Sequence, residues 1–124
     1  MQLPDKVVVL TGASQGIGKA AAREFVEAGC KVVLVARSED LLQEVSTDLG
    51  EENCLAVPAD IRQHSTHTLI VEKTMERFGG IDILVNNAGI GVYDKCEDVT
   101  EADVQTVIET NLLAPLFLTQ ACMK

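Results

Sequence analysis

Apolar, largely β-branched runs occur four times along this chain, at residues 6–11, 31–36, about 54–57 and 81–85, and each is followed by a stretch with helical spacing. Runs that are nearly continuous, rather than alternating with polar residues, predict parallel strands covered on both faces. The first helix is predicted over about 16–28, with Ile17, Ala21, Phe25 and Ala28 on one face and Gly29 at the left-handed cap position. Ser38 is placed to cap a second helix, with Glu39 and Asp40 in its first turn, Leu41, Leu42, Val45 and Leu49 on its apolar side, and Gly50 at its end. A third helix over roughly 65–78 carries Leu69, Ile70, Val71 and Met75 and stops at Gly79-Gly80. Thr100, with Asp103 three residues later, resembles a capping box and opens a helical segment that runs, with a disturbance, to the chain end. Strands alternating with helices predict an α/β fold with a parallel sheet and right-handed crossovers.

Composition narrows the class. A length of 124 residues with 47% hydrophobic content is enough for one core, so a single domain over 1–124 is expected. The formal net charge of −9 argues against nucleic acid or an anionic membrane as partner, since both need a basic footprint. Any phosphate must then be held by local groups. No apolar run approaches the length of a membrane span and no basic-then-apolar leader opens the chain, which makes a cytoplasmic location the expectation. Cys30, Cys54, Cys96 and Cys122 form no close pair, so reduced structural thiols are predicted and no metal site is. His64 and His67 flank a helix start and are expected to be solvated.

The stretch that carries chemistry is Thr11-Gly12-Ala13-Ser14-Gln15-Gly16-Ile17-Gly18, directly after the first apolar run and directly before the first helix. Without a Cβ the backbone can turn sharply at Gly12, approach a pyrophosphate near Gly16, and let the helix sit tight on the sheet at Gly18. The N–H groups of the helix start, with Ser14, Gln15 and Ile17 beside them, then face the anion. A nucleoside-triphosphate loop is the chemical rival, because Gly18-Lys19 is present and Ala13 stands where its first glycine would be. Ala20 breaks that pattern: it offers no hydroxyl for magnesium.

Four motifs in order, Thr-Gly-x-x-x-Gly-x-Gly at 11–18, Asp60-Ile61, Asn86-Asn87-Ala88-Gly89 and Thr110-Asn111-Leu112, make the chain resemble the short-chain dehydrogenase/reductase family over almost its whole length. The resemblance implies a three-layer Rossmann-type doubly wound sheet of about four strands in the order 3-2-1-4, incomplete at its C-terminal side, and a nicotinamide dinucleotide as cofactor. It implies that Asp60 meets the adenine, that Ile61 packs on the ring, and that Asn87, Ala88 and Gly89 line the inner ribose. Asn86 is expected to be structural, satisfying backbone groups at the strand end. At the end of the second strand, where an NAD-preferring site places an acid on the ribose diol, stand Ala36, Arg37 and Ser38. A guanidinium pairs with a 2′-phosphate through charge-assisted hydrogen bonds, and Ser38 can add a hydroxyl, so NADP is expected rather than NAD.

Asn111 is the one catalytic position expected in this chain. Pro115 has no N–H, so the carbonyl of residue 111 loses its usual helical partner; the resemblance implies that this carbonyl holds a water in a proton relay. The family's remaining parts are a serine and a tyrosine four residues before a lysine. The single tyrosine, Tyr93, has Glu97 four residues on, and no serine follows Ser65. The expectation is therefore the cofactor-binding half of an NADP(H)-dependent carbonyl/alcohol oxidoreductase, inactive alone, whose full-length form acts on a small-molecule substrate and is a homo-oligomer. The alternatives are a non-enzymatic NADP(H)-binding module and a half completed by a partner.

Overall fold

The computed structural model describes residues 2–124. The elements follow one another as β1 (Val7–Thr11), α1 (Gly16–Glu27), β2 (Lys31–Ala36), α2 (Glu39–Leu49), β3 (Cys54–Pro58), α3 (His64–Phe78), β4 (Ile83–Val85), α4 (Glu101–Ile108), a π-helical turn (Glu109–Leu113) and α5 (Ala114–Cys122). A short 3-10 turn, Cys96–Asp98, lies in the loop after β4.

The four strands form one parallel sheet in the order β3-β2-β1-β4. Val8 is paired with Val32 and Leu10 with Leu34, which places these four side chains on the same face, against Ala22 of α1 and Leu42 and Val45 of α2. Val9, Val33, Val35 and Val57 point the other way, against Ile70 of α3 and Ala114 and Leu118 of α5. The continuous apolar runs are thus explained by helices on both faces, a three-layer doubly wound arrangement.

The strand order reverses beside β1: the chain passes from β1 to β2 and β3, then returns to place β4 on the other side. A crevice opens at such a reversal beyond the carboxyl ends of the strands, which is where open α/β sheets bind ligands.

Several local signals appear as read. Ser38 Oγ accepts the Leu41 N–H at 3.3 Å, and the Thr100–Asp103 capping box closes with two hydrogen bonds of 3.1 Å. Gly29 takes a left-handed φ of 91°. The disturbance before Pro115 is a π turn, with the Ala114 N–H donating to the Glu109 carbonyl five residues back.

Four expectations need correction. Ile17 is 81% exposed, because it sits on the open first turn of α1 rather than on its core stripe, which is formed by Gly18 and Ala22. His67 is buried, at 3% exposure, and α3 turns His67, Ile70 and Thr74 inward while Leu69 and Met75 face out. The fourth strand is shorter than predicted and half-buried, since it pairs on one side only. Asn86 donates to the Thr119 hydroxyl at 3.2 Å, whereas the backbone at the end of β4 is satisfied by Thr11.

Candidate functional site

The crevice is a groove of about 470 Å³ at the carboxyl edge of the sheet, assembled from the loops that follow all four strands. Its size falls in the range of small-molecule sites. The turn after β1 contributes Gly12, Ser14 and Gln15; the end of β2 contributes Arg37 and Ser38; Asp60 and Ile61 come after β3, and Asn87, Ala88 and Gly89 after β4. Residues separated by 75 positions are thereby brought to one surface. Gly16, Ile17 and Gly18 form the adjoining start of α1 without lining the groove, and Asn111 does not line it either but is hydrogen-bonded to Ile90, which does.

The first turn of α1 is left open toward a ligand. Gln15 at its N-cap makes no side-chain cap, and its first turn holds no acid. The contrast is with α2 and α4, whose N-termini carry a capping hydroxyl and two carboxylates each. Unopposed N–H groups and a positive dipole end are what an anion requires. Gly16 has a φ of 55° and no atom within 4 Å of where a Cβ would stand, so the backbone there is accessible.

Gly12, Gly18 and Asn87 form the frame of this turn. A Cβ on Gly18 would overlap the Gly12 carbonyl oxygen and come within 2.6 Å of Asn87 Nδ2; a Cβ on Gly12 would come within 2.9 Å of the same amide. Asn87 Nδ2 occupies the space these glycines leave and donates to the Gly12 carbonyl at 3.3 Å. The Thr11 hydroxyl, 1% exposed as a residue, accepts the N–H groups of Asn87 and Ala88, both at 3.0 Å, and donates to the Val85 carbonyl at 3.4 Å. All three hydrogen-bonding capacities of a hydroxyl are used. Thr11 stood inside the glycine motif but was not assigned a role from sequence; a threonine ending a central strand is the only signal it offers.

At the far end of the groove, Asp60 is held by Arg62. The guanidinium donates to the carboxylate at 2.7, 3.1 and 3.2 Å, and the Arg62 N–H adds a bond of 3.0 Å. The side-chain hydrogen bonds from Arg62 pull the Asp60 pKa below its ordinary 3.8, partial burial opposes this, and the charge of Arg37 adds a smaller lowering effect. Arg62, which lines the groove, was also missed: nothing in a residue two places after an aspartate announces that it will fold back on it. Arg62 thus pairs with the Asp60 carboxylate at this end of the groove, and Arg37 lines the same groove without an ion pair to it. Ser38 contributes its hydroxyl to capping α2, with its hydrogen still free to donate.

Asn111 ties the π turn to the loop after β4. Its Oδ1 accepts the Ile90 N–H at 2.9 Å and its Nδ2 donates to the Ile90 carbonyl at 2.6 Å. Among the described residues there is no cluster of His, Cys, Asp and Glu able to hold a metal ion, and no helix is long and apolar enough to cross a membrane. Tyr93 is 98% exposed and stands apart from the groove.

Known proteins share this architecture and sequence. An uncharacterized oxidoreductase, YxnA, of Bacillus subtilis is 38% identical over 125 residues, covering 99% of this chain and 35% of the relative. An uncharacterized oxidoreductase of Staphylococcus aureus, SAR2567, is 34% identical over 98% of this chain and 52% of its own length. The chain thus spans about half, or less, of the curated relatives it matches. Among solved structures, a short-chain dehydrogenase/reductase described as a glucose/ribitol dehydrogenase from Brucella melitensis superposes with a TM-score of 0.94 at 32% identity, over 98% of this chain and 50% of that one. L-Sorbose reductase from Gluconobacter frateurii, solved with NADPH and L-sorbose, gives a TM-score of 0.91 at 35% identity, over 99% and 49%. Residues 6–124 match the family model described as short chain dehydrogenase, and the chain belongs to that family of oxidoreductases.

Proposed function

We propose that these 124 residues are the dinucleotide-holding part of an NADP(H)-dependent carbonyl/alcohol oxidoreductase. The observation that carries the NADP reading is the end of β2, where Arg37 and Ser38 line the groove and no carboxylate from β2 does. A 2′-phosphate gains charge-assisted hydrogen bonds from the guanidinium, whereas an acid there would repel it. A relative's structure holding NADPH supports the same choice.

The turn after β1 fits the group physically. Gly12 and Gly18 let the turn close tightly on Asn87, Gly16 leaves open space where a Cβ would stand, and α1 presents an uncapped N-terminus without competing acids. In this reading Ser14, Gln15, Gly16 and Ile17 receive the pyrophosphate, with Gly12 and Gly18 shaping the turn that holds it, Arg37 and Ser38 receive the 2′-phosphate, Asp60 and Ile61 the adenine, and Asn87, Ala88 and Gly89 the inner ribose. When bound, the nicotinamide supplies the hydride. What this chain adds is orientation, together with the Asn111 main-chain carbonyl, to which Pro115 has no N–H to offer. In this reading that carbonyl would hold a water in the relay that returns a proton to the substrate oxygen.

The acid/base groups that complete such a reaction are not supplied by Tyr93, which has no lysine four residues on. The chain alone is therefore proposed to bind without turnover, and the substrate to be chosen by residues outside it. The exposed stripe of Val104, Ile108, Leu112 and Leu116 on α4, the π turn and α5 supports a full-length form that pairs with a second subunit. Titration with ADP and with 2′-phospho-ADP tests the cofactor: tighter 2′-phospho-ADP binding is expected, and equal or tighter ADP binding overturns it. Ketone-dependent oxidation of NADPH by the chain alone would overturn the absence of turnover.

A further inference from the structure

Thr66 and His67, neighbours on the first turn of α3, hold carbonyls of the segment that leaves β3. The Thr66 hydroxyl lies 3.0 Å from the Asp60 carbonyl and 2.7 Å from the Gln63 carbonyl. His67 Nε2 lies 2.7 Å from the Ile61 carbonyl. A carbonyl oxygen carries no hydrogen, so Nε2 is the donor. The other ring nitrogen, Nδ1, is buried and has no hydrogen-bond partner. A leucine in this place would fill the same space and leave no polar atom stranded, so the histidine is explained by what Nε2 does. No backbone N–H among the described residues is directed at the Ile61 carbonyl. Residues 60–62 line one end of the groove, and His67 itself does not.

We propose that His67 is a positioning residue for the nucleotide site: its Nε2–H, acting through the Ile61 carbonyl, fixes where the Asp60–Ile61–Arg62 segment presents itself to an adenosine group. The proposal rests on the dinucleotide reading of the groove. It assigns to His67 the adenosine end only, because the glycine turn is held separately by Thr11 and Asn87.

The test measures binding of 2′-phospho-ADP and of inorganic pyrophosphate to the wild-type chain and to His67→Leu and His67→Gln. Glutamine carries an amide N–H near the position of Nε2, and leucine carries none. The expected result is that His67→Leu weakens 2′-phospho-ADP about fivefold, the loss of one buried hydrogen bond, leaves pyrophosphate unchanged, and is rescued by His67→Gln to within about twofold. Equal weakening of both ligands, weakening of neither, or a glutamine variant no better than leucine would overturn it. Should His67→Leu fail to fold, the imidazole ¹⁵N spectrum of the wild type decides. An Nε2–H ring whose signals move when 2′-phospho-ADP binds supports the proposal; an Nδ1–H ring, or signals that stay still, overturns it. A wild type that binds pyrophosphate but no adenine nucleotide overturns the dinucleotide reading and this proposal with it, whereas a ligand-binding wild type with an indifferent His67 overturns the proposal alone.

Discussion

Replacing Thr11 by valine removes one oxygen atom and conserves shape, so its cost isolates what the hydroxyl does. In the native chain that oxygen accepts from Asn87 N and Ala88 N at 3.0 Å each and donates weakly to Val85 O at 3.4 Å. Valine strands the Ala88 N–H and takes one of two acceptors from the Asn87 N–H, which keeps the Val85 carbonyl at 3.1 Å, at a site where Thr11 is 1% exposed and Asn87 and Ala88 are half-buried. A stranded buried donor costs about 1–3 kcal/mol, and the hydrogen bond that Asn87 loses costs a further amount of about 0.5–1.5 kcal/mol. The added methyl returns roughly 0.5–1 kcal/mol, leaving a net loss of about 2 kcal/mol. Against a domain stability of about 5–15 kcal/mol this is large, and at this chain length it lowers Tm by roughly 6–12 °C. Thr11→Ser keeps the hydroxyl and gives up one buried methyl, at about 1 kcal/mol. Urea unfolding of the three proteins, with equal m values, gives the comparison. The expected order of stability is wild type, then Thr11→Ser, then Thr11→Val. A valine variant within about 0.5 kcal/mol of wild type, or a serine variant less stable than valine, would show that the hydroxyl is not what joins the β1 turn to the β4 loop.

Gly18→Ala drives a Cβ into the Gly12 carbonyl oxygen and the Asn87 amide, and should cost about 3 kcal/mol, with loss of pyrophosphate binding. Gly16→Ala meets no atom and should cost about 1 kcal/mol for its φ of 55°; equal urea midpoints would contradict the packing assigned to Gly18. Arg62→Met removes the side-chain hydrogen bonds that do most to hold the Asp60 pKa below its ordinary 3.8 and keeps the backbone one, so a ¹³C carboxyl titration should find Asp60 moved up. Because the folded-state value is depressed, the stability linked to this carboxylate is present above 3.8 and lost as pH falls through the lower folded value. That acid-side loss should shrink in Arg62→Met, and an unmoved Asp60 would contradict the pairing. Under a thiol reagent at pH 8, exposed Cys96 should react first and buried Cys54 long after it, its thiol pushed up to about 11 mainly by burial and then by Glu52. Early labelling of Cys54 in mass spectra would contradict its place in the sheet.

What could be read from sequence followed from backbone rules. Continuous β-branched runs implied strands covered on both faces, and Val8, Leu10, Val32 and Leu34 do pack on one layer of helices while Val9, Val33 and Val35 pack on the other. A proline without an N–H implied a break near residue 111, and a π turn is there. Side-chain partnerships between distant segments could not be read in the same way. His67 and Thr74 occupy core positions of α3 where apolar periodicity gives no warning, and each hydrogen-bonds to a carbonyl, of Ile61 and Ile70 respectively. The Arg62–Asp60 pair and the Thr11 hub depend on where loops end, which periodicity does not encode.

The same distinction bears on what a motif residue does. Thr11, Gly12, Gly18 and Asn87 stand in the two motifs that point to a dinucleotide, yet their side chains, or the absence of one, are occupied with each other. Between them they fix the separation of the turn after β1 and the loop after β4. The groups left to face an anion are the backbone at Gly16, the uncapped start of α1, and Ser14 and Gln15 at its mouth. On the dinucleotide reading proposed above, that division matters in a chain of net charge −9. A global field of that sign repels a polyanion, so attraction has to come from oriented N–H groups within a few ångströms and from guanidinium groups confined to one end of the groove. A frame whose donors and acceptors are already paired keeps those N–H groups aimed, so little reordering accompanies binding.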